Sequence, residues 1–323
     1  MKRRTMTKTN ARKSAKNIRR PAKRTPTAKR PGRRPSARHR SSRTLMAGLV
    51  VVVVGVVAAV ALNRADTGPS SPGRPFVGGD LHSLVMGPGT PSRLYVGGHE
   101  GVAVSNDGGR TWRQIDSLDG ADAMGWAFTD EGVFVGGHPG LFVSDDGGRT
   151  FRQDNAGLPA TDIHALGSGT GVIYAASPQL GIFASTDGGV SWEIRTDQVG
   201  QAFMGRILVD SRDPDRLVAP DMQGGAIQSS DGGRSWNVLG GVSGAMWVSW
   251  DAADTDRIVV SGMGQAALTL DGGRTWVQLE VPDGASVVEI DANDPDTLYA
   301  GVLEGTEAVV WISRDGGSTW TMP

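Results

Sequence analysis

The sequence predicts an all-β fold, a six-bladed β-propeller, from three observations. Six copies of one octamer recur at intervals of 39 to 44 residues in the C-terminal three quarters of the chain. Apolar runs of strand length separate the octamers, and the 47 glycines suit many strands joined by tight turns. A repeat of about 40 residues is the length of one four-stranded blade. Residues 80–323 are therefore predicted to form the propeller.

The octamers share a hydroxyl residue, an aspartate, two glycines and an aromatic residue at fixed positions. They read SNDGGRTW, SDDGGRTF, STDGGVSW, SSDGGRSW, TLDGGRTW and SRDGGSTW. Their aspartates are Asp107, Asp146, Asp187, Asp231, Asp271 and Asp315. An aspartate can accept backbone N–H bonds within a turn, and a glycine pair supplies positive φ angles. We therefore predict a structural role for all six aspartates, with the aromatic residue packing inward.

This octamer resembles the Asp box, S-x-D-G-G-x-[ST]-W, of bacterial-neuraminidase-repeat (BNR) propellers, a group that includes sialidases. One copy departs from the pattern, with Phe151 in place of tryptophan. The resemblance implies that each octamer joins the third and fourth strands of a blade, on the side remote from the active face. It covers residues 80–323.

The charges are segregated along the chain, although the formal net charge is only −1. Residues 1–43 hold 18 Lys and Arg and no Asp or Glu, and the rest holds 15 Arg against 34 acids. The first segment has four prolines and no apolar periodicity, so it is predicted to be a disordered basic tail. No aromatic residue interleaves the charges, which favours attraction to anionic lipid over nucleic-acid binding.

Residues 44–62 are 19 uncharged, mainly apolar residues, enough to cross a bilayer as one helix. The preceding basic residues place the N-terminus in the cytoplasm and the propeller outside the plasma membrane. The alternative is a signal peptide cleaved after Ala61, which would make the propeller secreted. Residues 63–79, rich in Pro, Gly and Ser, are predicted to be a linker. Phe76 and Val77 are expected to extend the outer edge of the last blade.

The His and Met residues of the propeller fall into two registers. The third position of each innermost strand holds His82, Met124, His164, Met204, Met246 and Ser286. The loop after each second strand holds His99, His138, Pro178, Met222, Met263 and Leu303. In a propeller these two places lie on the same face, and the same position of every blade rings the central axis. We therefore expect these side chains to gather at one mouth of the channel.

Imidazole and thioether are the soft metal ligands left to a chain without cysteine, and together they suit copper. The predicted ligands are His82, His99, Met124, His138, His164, Met204, Met222, Met246 and Met263. Asp80, Asp122 and Asp162 precede three of the inner-register residues and are expected to orient the imidazoles. A small polar ligand or glycan at this mouth, and simple packing of Met and His, are the alternatives.

Glycosidase chemistry is a further alternative. The sialidase constellation of a Tyr nucleophile and an arginine cluster is missing, because Tyr95, Tyr174 and Tyr299 occupy one register of the second strand, which predicts a core position. A two-carboxylate mechanism has weak candidates in Asp122 and Asp162. Trp126 and Trp247 are predicted to lie near enough to contact a sugar.

The run DLHSL, LYVGGHEGVAVS, DAMGWAF, VGGHPGLFVS and DIHAL resembles membrane-anchored or lipoprotein Asp-box propellers of Gram-positive bacteria, described as glycosylhydrolase-like. His82, His99, Met124, His138 and His164 stand at the matching places, with Ser83 where glycine is usual. A looser similarity to photosystem-assembly and sortilin-type propellers implies protein binding. The leading hypothesis is a non-catalytic, membrane-anchored binding propeller. The alternatives are a glycoside hydrolase acting on envelope or environmental glycans, and a scaffold for an envelope protein.

Overall fold

The computed structural model describes residues 71–88, 92–197 and 202–323, and these form an all-β six-bladed propeller. The basic tail 1–43 and the apolar segment 44–62 lie outside the described residues, so both predictions stay untested. Within the three described ranges, no helix is long and apolar enough to cross a membrane.

Apart from one short added strand on blade 1 and one on blade 3, each blade is an antiparallel sheet. Its strands follow one another along the chain from the inner to the outer edge. Blade 1 contains β1 (Ser71–Pro72), β2 (Leu81–Met86), β3 (Leu94–Gly98), β4 (Val102–Ser105) and β5 (Thr111–Gln114). Blade 2 contains β6 (Gly125–Phe128), β7 (Val133–Gly137), β8 (Gly140–Ser144) and β9 (Arg152–Gln153). Blade 3 contains β10 (Ala165–Gly169), β11 (Val172–Ser177), β12 (Gly181–Ser185) and β13 (Glu193–Thr196). A 3₁₀ turn, Asp116–Leu118, leads from blade 1 to blade 2.

The second half repeats this plan. The short β14 (Gly205–Arg206) pairs in parallel with β10 of blade 3. Blade 4 contains β15 (Leu208–Val209), β16 (Leu217–Asp221), β17 (Gly225–Ser229) and β18 (Asn237–Gly240). Blade 5 contains β19 (Trp247–Trp250), β20 (Ile258–Gly262), β21 (Gln265–Thr269) and β22 (Val277–Leu279). Blade 6 contains β23 (Ala285–Ile290), β24 (Leu298–Glu304) and β25 (Glu307–Ser313), with Thr321 bridged to β25.

The segment before blade 1 joins the first and last blades. Its strand β1 pairs with β5 on the outer edge of blade 1. Phe76 bridges Glu307, and the Val77 N–H donates to the Thr306 carbonyl at 3.0 Å. The segment before blade 1 therefore joins blade 6 at the turn between β24 and β25. The sequence had predicted that it joins the outer edge of blade 6. Residues 71–79, within the predicted linker, lie against the propeller.

The octamers form a repeated turn held by the serine and aspartate side chains. In the first copy, the Ser105 hydroxyl donates to Asp107 at 2.8 Å and accepts the Gly109 N–H at 2.8 Å. The Thr111 N–H and hydroxyl donate to the two oxygens of Asp107 at 2.9 and 2.7 Å. The other five copies repeat this set of bonds. Each carboxylate thus closes one hairpin turn.

These bonds lower the pKa values of the octamer aspartates. Hydrogen bonding, led by the Ser191 hydroxyl at Asp187 and by the Thr275 N–H at Asp271, lowers the pKa of these two carboxyl groups from 3.8 to about 2. At Asp146 slight burial raises the pKa, but bonds from Thr150 and Ser144 outweigh it and lower the pKa overall. A lowered pKa in the folded state adds stability above about pH 4, and that stability is lost as the pH falls through the folded value.

We predict that Asp146→Asn lowers the free energy of unfolding at pH 7 by about 1 kcal/mol, because the amide cannot replace both charged acceptors. The fall in that free energy between about pH 4 and pH 2 should also become shallower, since one fewer carboxylate resists protonation. Urea titrations across this pH range measure both. Asp145→Asn, at the adjacent exposed position of the same octamer, is the matched control. Equal pH slopes for the two variants would contradict the account.

A buried carboxylate ties four blades together near the axis. Glu289, on β23 and only 2% exposed, accepts from Arg206 at 2.6 Å and from the Trp247 indole N–H at 3.0 Å. The Met86 N–H of blade 1 lies 3.3 Å from the same carboxylate. Arg206 is thus engaged in an internal ion pair. This role of Arg206 is not predicted by the sequence pattern.

We predict that Glu289→Ala destabilises the propeller by about 3 kcal/mol, because Arg206 and Trp247 lose a partner in a largely buried place. Chemical denaturation measures the change. Glu304→Ala is the control, since it breaks the exposed pair with Arg74 and should cost less than about 1 kcal/mol. Similar losses for the two variants would contradict the role assigned to Glu289.

Candidate functional site

The two predicted registers meet at one mouth of the propeller, in blades 1 to 3. The rings of His82 and His99 lie 5.5 Å apart between centroids, as do those of His138 and His164. All four histidines of the propeller therefore pair across the two registers. Asp122 connects the two pairs.

Glycines at the ends of the second strands position these side chains. A Cβ on Gly98 would lie 2.0 Å from the Asp80 carbonyl oxygen, and a Cβ on Gly137 would lie 1.5 Å from that of Asp122. Only glycine permits the backbone before each inner strand to press so closely on the second strand. Because His138 follows Gly137 directly, its ring meets the Asp122 carboxylate. The Gly-Gly-His sequence thus brings His99 and His138 close to the chain segments that carry Asp80 and Asp122.

His82 projects from a β-bulge. The pairing of β2 with β3 shifts between Leu81 and Ser83, so His82 has no partner residue across the ladder. A bulge re-aims the side chain of its extra residue. The corresponding shift in blade 6 falls at Ser286, at the same register position. Aligning the six blade sequences with one another shows the register. The alternation of apolar and polar residues along the strand does not reveal this bulge.

The first cluster consists of His82, His99 and Asp122. The His82 Nε2 atom lies 3.3 Å from His99 Nδ1 and 3.2 Å from Asp122 Oδ1. Ligands held about 2.0 Å from a tetrahedral metal lie about 3.3 Å from one another. Asp80 also brings a carboxylate oxygen within 4.8 Å of the two imidazoles. The ligand atoms that all lie within 4.8 Å of one another are those of Asp80, His82 and His99, and Asp122 Oδ1 approaches this group at His82.

Two atoms of the first cluster are buried without a hydrogen-bond partner among the described residues: His82 Nδ1 and Asp122 Oδ1. His82 is 5% exposed and Asp122 3% exposed. A buried polar atom left unpaired costs about 1–3 kcal/mol, so such atoms call for an explanation. The nearest imidazole nitrogen to Asp122 Oδ1 is His82 Nε2, at 3.2 Å. A cation held between these two atoms would satisfy the carboxylate oxygen, whereas His82 Nδ1 would keep no partner.

The second cluster consists of His138, Asp162 and His164. Asp162 Oδ1 lies 2.5 Å from His138 Nε2 and 3.0 Å from His164 Nε2. The other oxygen of Asp162 accepts from the Gln179 amide at 3.1 Å, which fixes the carboxylate. One ligand atom from each of the three residues lies within 4.8 Å of the other two.

Asp122 links the clusters. Its Oδ2 lies 2.7 Å from His138 Nδ1, while its Oδ1 faces His82. This contact leaves His138 Nε2 directed at Asp162, the arrangement by which a carboxylate orients a metal-binding imidazole. The sequence assigned Asp122 an orienting role beside Met124, the inner-register residue two positions later. The structure instead places its carboxylate between histidines of blades 1 and 2.

The two clusters differ in protonation. Hydrogen bonding to Asp122, reinforced by Asp162 and opposed by partial burial, raises the pKa of His138. Burial lowers the pKa of His82, although the Asp122 charge acts in the other direction. The lowered pKa favours the neutral form of His82, which offers a lone pair to a metal. The raised pKa favours the protonated form of His138, whose proton a metal would displace on binding.

The methionines lie mainly in a separate cavity beside the second cluster. The cavity has a volume of about 360 Å³ and is lined by Met124, His164, Ser177, Pro178, Ala202, Phe203, Met204 and Met222. His164 is the member that it shares with the second cluster. Met246 and Met263 do not line it, and Met263 is 70% exposed. The predicted mixed ring of imidazoles and thioethers is thus divided into a His/Asp part and a Met part.

The residues considered for glycosidase chemistry are poorly placed for it. Trp126 and Trp247 are at most 1% exposed, so neither can contact a sugar as expected. Asp122 and Asp162 do approach each other, but the His138 ring lies between them with one nitrogen against each carboxylate. A glycosidic bond would need that space. Tyr299 is buried as predicted, and burial raises its pKa to about 12.

No protein-family model and no curated protein sequence matches the chain. Solved structures do match. The GH74 xyloglucanase of Xanthomonas campestris aligns with a TM-score of 0.55 and 17% identity over 79% of this chain and 47% of its own. The Niastella koreensis GH74 enzyme gives a TM-score of 0.54 and 14% identity over the same shares. A chain of the nidogen/laminin complex gives a TM-score of 0.53 and 14% identity over 72% and 93%.

These similarities establish the propeller fold. The chain spans about half the length of the two GH74 structures. At identities of 14 to 17%, one fold hosts a glycosidase and a member of a protein complex, so the likeness carries no particular activity. The function must be argued from the site.

We predict that Gly137→Ala destabilises the protein by about 3 kcal/mol, because the new methyl group would overlap the Asp122 carbonyl. Thermal and urea denaturation measure the loss. Gly79→Ala is a suitable control, since a Cβ at that position meets no atom within 4 Å. If both variants proved equally stable, the close approach of the two strands would not be what positions His138.

Proposed function

We propose that this protein is a membrane-anchored, extracytoplasmic binding propeller that holds a divalent transition metal at its His/Asp mouth. The single observation that carries the proposal is the continuous chain of contacts His99, His82, Asp122, His138, Asp162 and His164. Six ligand-type side chains from three blades converge there, in a chain that has no cysteine.

The donor atoms support this class of metal. Imidazole nitrogen with carboxylate oxygen suits Zn²⁺, Cu²⁺ and Ni²⁺, whereas Ca²⁺ and Mg²⁺ take oxygen alone. Among divalent ions such a site binds Cu²⁺ most tightly. Of the four imidazoles only that of His164 lines the methionine cavity, and this favours copper in its Cu²⁺ state over Cu⁺. Copper, the metal proposed from the sequence, therefore stays the leading candidate.

The electrostatics of the site support reversible binding. The lowered pKa of the buried His82 favours its neutral, metal-binding form, whereas the raised pKa of His138 makes a proton compete with the metal there. Metal uptake should consequently weaken as the solution becomes more acidic. The basic tail and apolar segment support a position on the outer face of the plasma membrane, as the charge asymmetry predicts.

A glycoside hydrolase is the alternative suggested by the fold. Its support is the similarity to GH74 enzymes, which is limited to the fold. The His138 ring between Asp122 and Asp162 disfavours a two-carboxylate mechanism at this mouth. A scaffold for an envelope protein would leave the buried Asp122 Oδ1 atom without a hydrogen-bond partner among the described residues and without an explanation.

The test is metal uptake by the full chain purified in detergent, followed by dialysis and elemental analysis. We expect retention of Cu²⁺ with low-micromolar or tighter affinity, and loss of at least ten-fold in affinity for His82→Ala or His164→Ala. Removal of a ligand typically has an effect of this size or larger, because orienting residues alone account for 10–100-fold.

Asp119→Asn, an exposed carboxylate between blades 1 and 2, is the control and should bind as the wild type does. Circular dichroism of each variant establishes that it is folded. A wild-type protein that retains neither Cu²⁺ nor Zn²⁺ after dialysis would end the proposal. Turnover of an aryl glycoside that survives His138→Ala but not Asp122→Asn would favour the hydrolase instead.

A further inference from the structure

The methionine-lined cavity is built like a small-molecule site. At about 360 Å³ it falls in the size range of ligand pockets, and its lining is mainly apolar. Met124 and Met204 are buried in its wall, and Met222, at 40% exposure, lies at its rim. An apolar cavity of about 150 Å³ already holds a benzene ring. There is room here for a ring and its substituents.

The cavity is too large to be a bare copper site. Metal ligands must converge to about 2.0–2.3 Å from one ion, whereas these side chains surround a space many times the size of a water molecule. Thioethers also make favourable contacts with aromatic rings, and flexible methionine side chains adapt to differing shapes. Phe203 adds an aromatic wall, held against Trp236 with ring centroids 5.1 Å apart.

His164 joins the cavity to the second cluster. It lines the cavity, and its Nε2 lies 3.0 Å from Asp162. A metal held by His138, Asp162 and His164 would have three protein ligands and at least one open position. Gln179 contacts the far oxygen of Asp162, so one flank of the carboxylate is already occupied.

We propose that the cavity and the metal-loaded second cluster together bind a small molecule that carries an oxygen-chelating head group on an aromatic ring. The head group completes the metal coordination beside His164, and the ring enters the space between Met124, Met204 and Met222. This inference rests on the proposed metal binding and names the class of ligand that the mouth recognises.

The experiment compares benzohydroxamate with acetohydroxamate, which share one chelating group and differ by the aromatic ring. Each is titrated by calorimetry into the Zn²⁺-loaded full chain in detergent, with zinc content measured in the same sample. Zinc is chosen because it is redox-inert. We expect benzohydroxamate to bind at least ten-fold more tightly, since the ring leaves water for the cavity.

Two variants test the location. Ala202→Phe, which fills the cavity from a partly exposed position, and Met222→Ser, at the rim, should reduce the preference to about two-fold or less. Met263→Ser is the matched control, because Met263 occupies the same register one blade on but lies outside the cavity. It should retain the full preference.

The outcomes separate the two proposals. If zinc is retained and the two hydroxamates bind equally, the cavity does not bind the ring, and the metal proposal stands alone. A ten-fold preference that is unchanged in Ala202→Phe and Met222→Ser would also overturn the inference, because the ring would lie elsewhere. If the wild type retains no zinc and no copper, the proposed function fails and this inference fails with it.

Discussion

The structure depends on one constraint: the first strands of six blades must pack around a common axis. Equivalent positions of successive blades then become neighbours in space, although about 40 residues separate them in sequence. Glu289 reinforces this convergence, because its buried carboxylate receives bonds from Arg206, Trp247 and the backbone of Met86. At the mouth the same convergence brings together imidazoles and carboxylates of blades 1 to 3. The ring thus creates a site that no single blade contains.

Within the site, Asp122 contacts histidines of two blades and influences the orientation and the pKa of each. One oxygen orients His138 and raises its pKa, and the other faces the buried His82, whose pKa is lowered by burial. An imidazole that favours its neutral form and a carboxylate oxygen left without a hydrogen bond are a poor combination for stability alone. They are a natural pair of ligands for a cation. The unpaired Asp122 oxygen therefore links the energetics of the fold to the proposed binding of metal.

Much of the fold could be predicted from sequence, because the octamers fix both the number of blades and the position of each turn. The gathering of His82, His99, His138 and His164 followed from register alone. Three features of the site could not be predicted from the register. The bulge at His82 depends on strand pairing, the link through Asp122 on the close packing at Gly137, and the Met cavity on side-chain volumes. Residues 71–79 were assigned to a linker, because composition does not show that their backbone pairs with the first and last blades.

The proposed metal ligands are imidazoles and carboxylates of successive blades, and not thioethers. X-ray absorption at the copper edge of the Cu²⁺-loaded full chain distinguishes these two ligand sets. We expect a coordination shell of nitrogen and oxygen about 2.0 Å from copper, with the outer scattering of at least two imidazoles and no sulfur shell. A sulfur shell near 2.3 Å, or a copper spectrum without imidazole scattering, would contradict it.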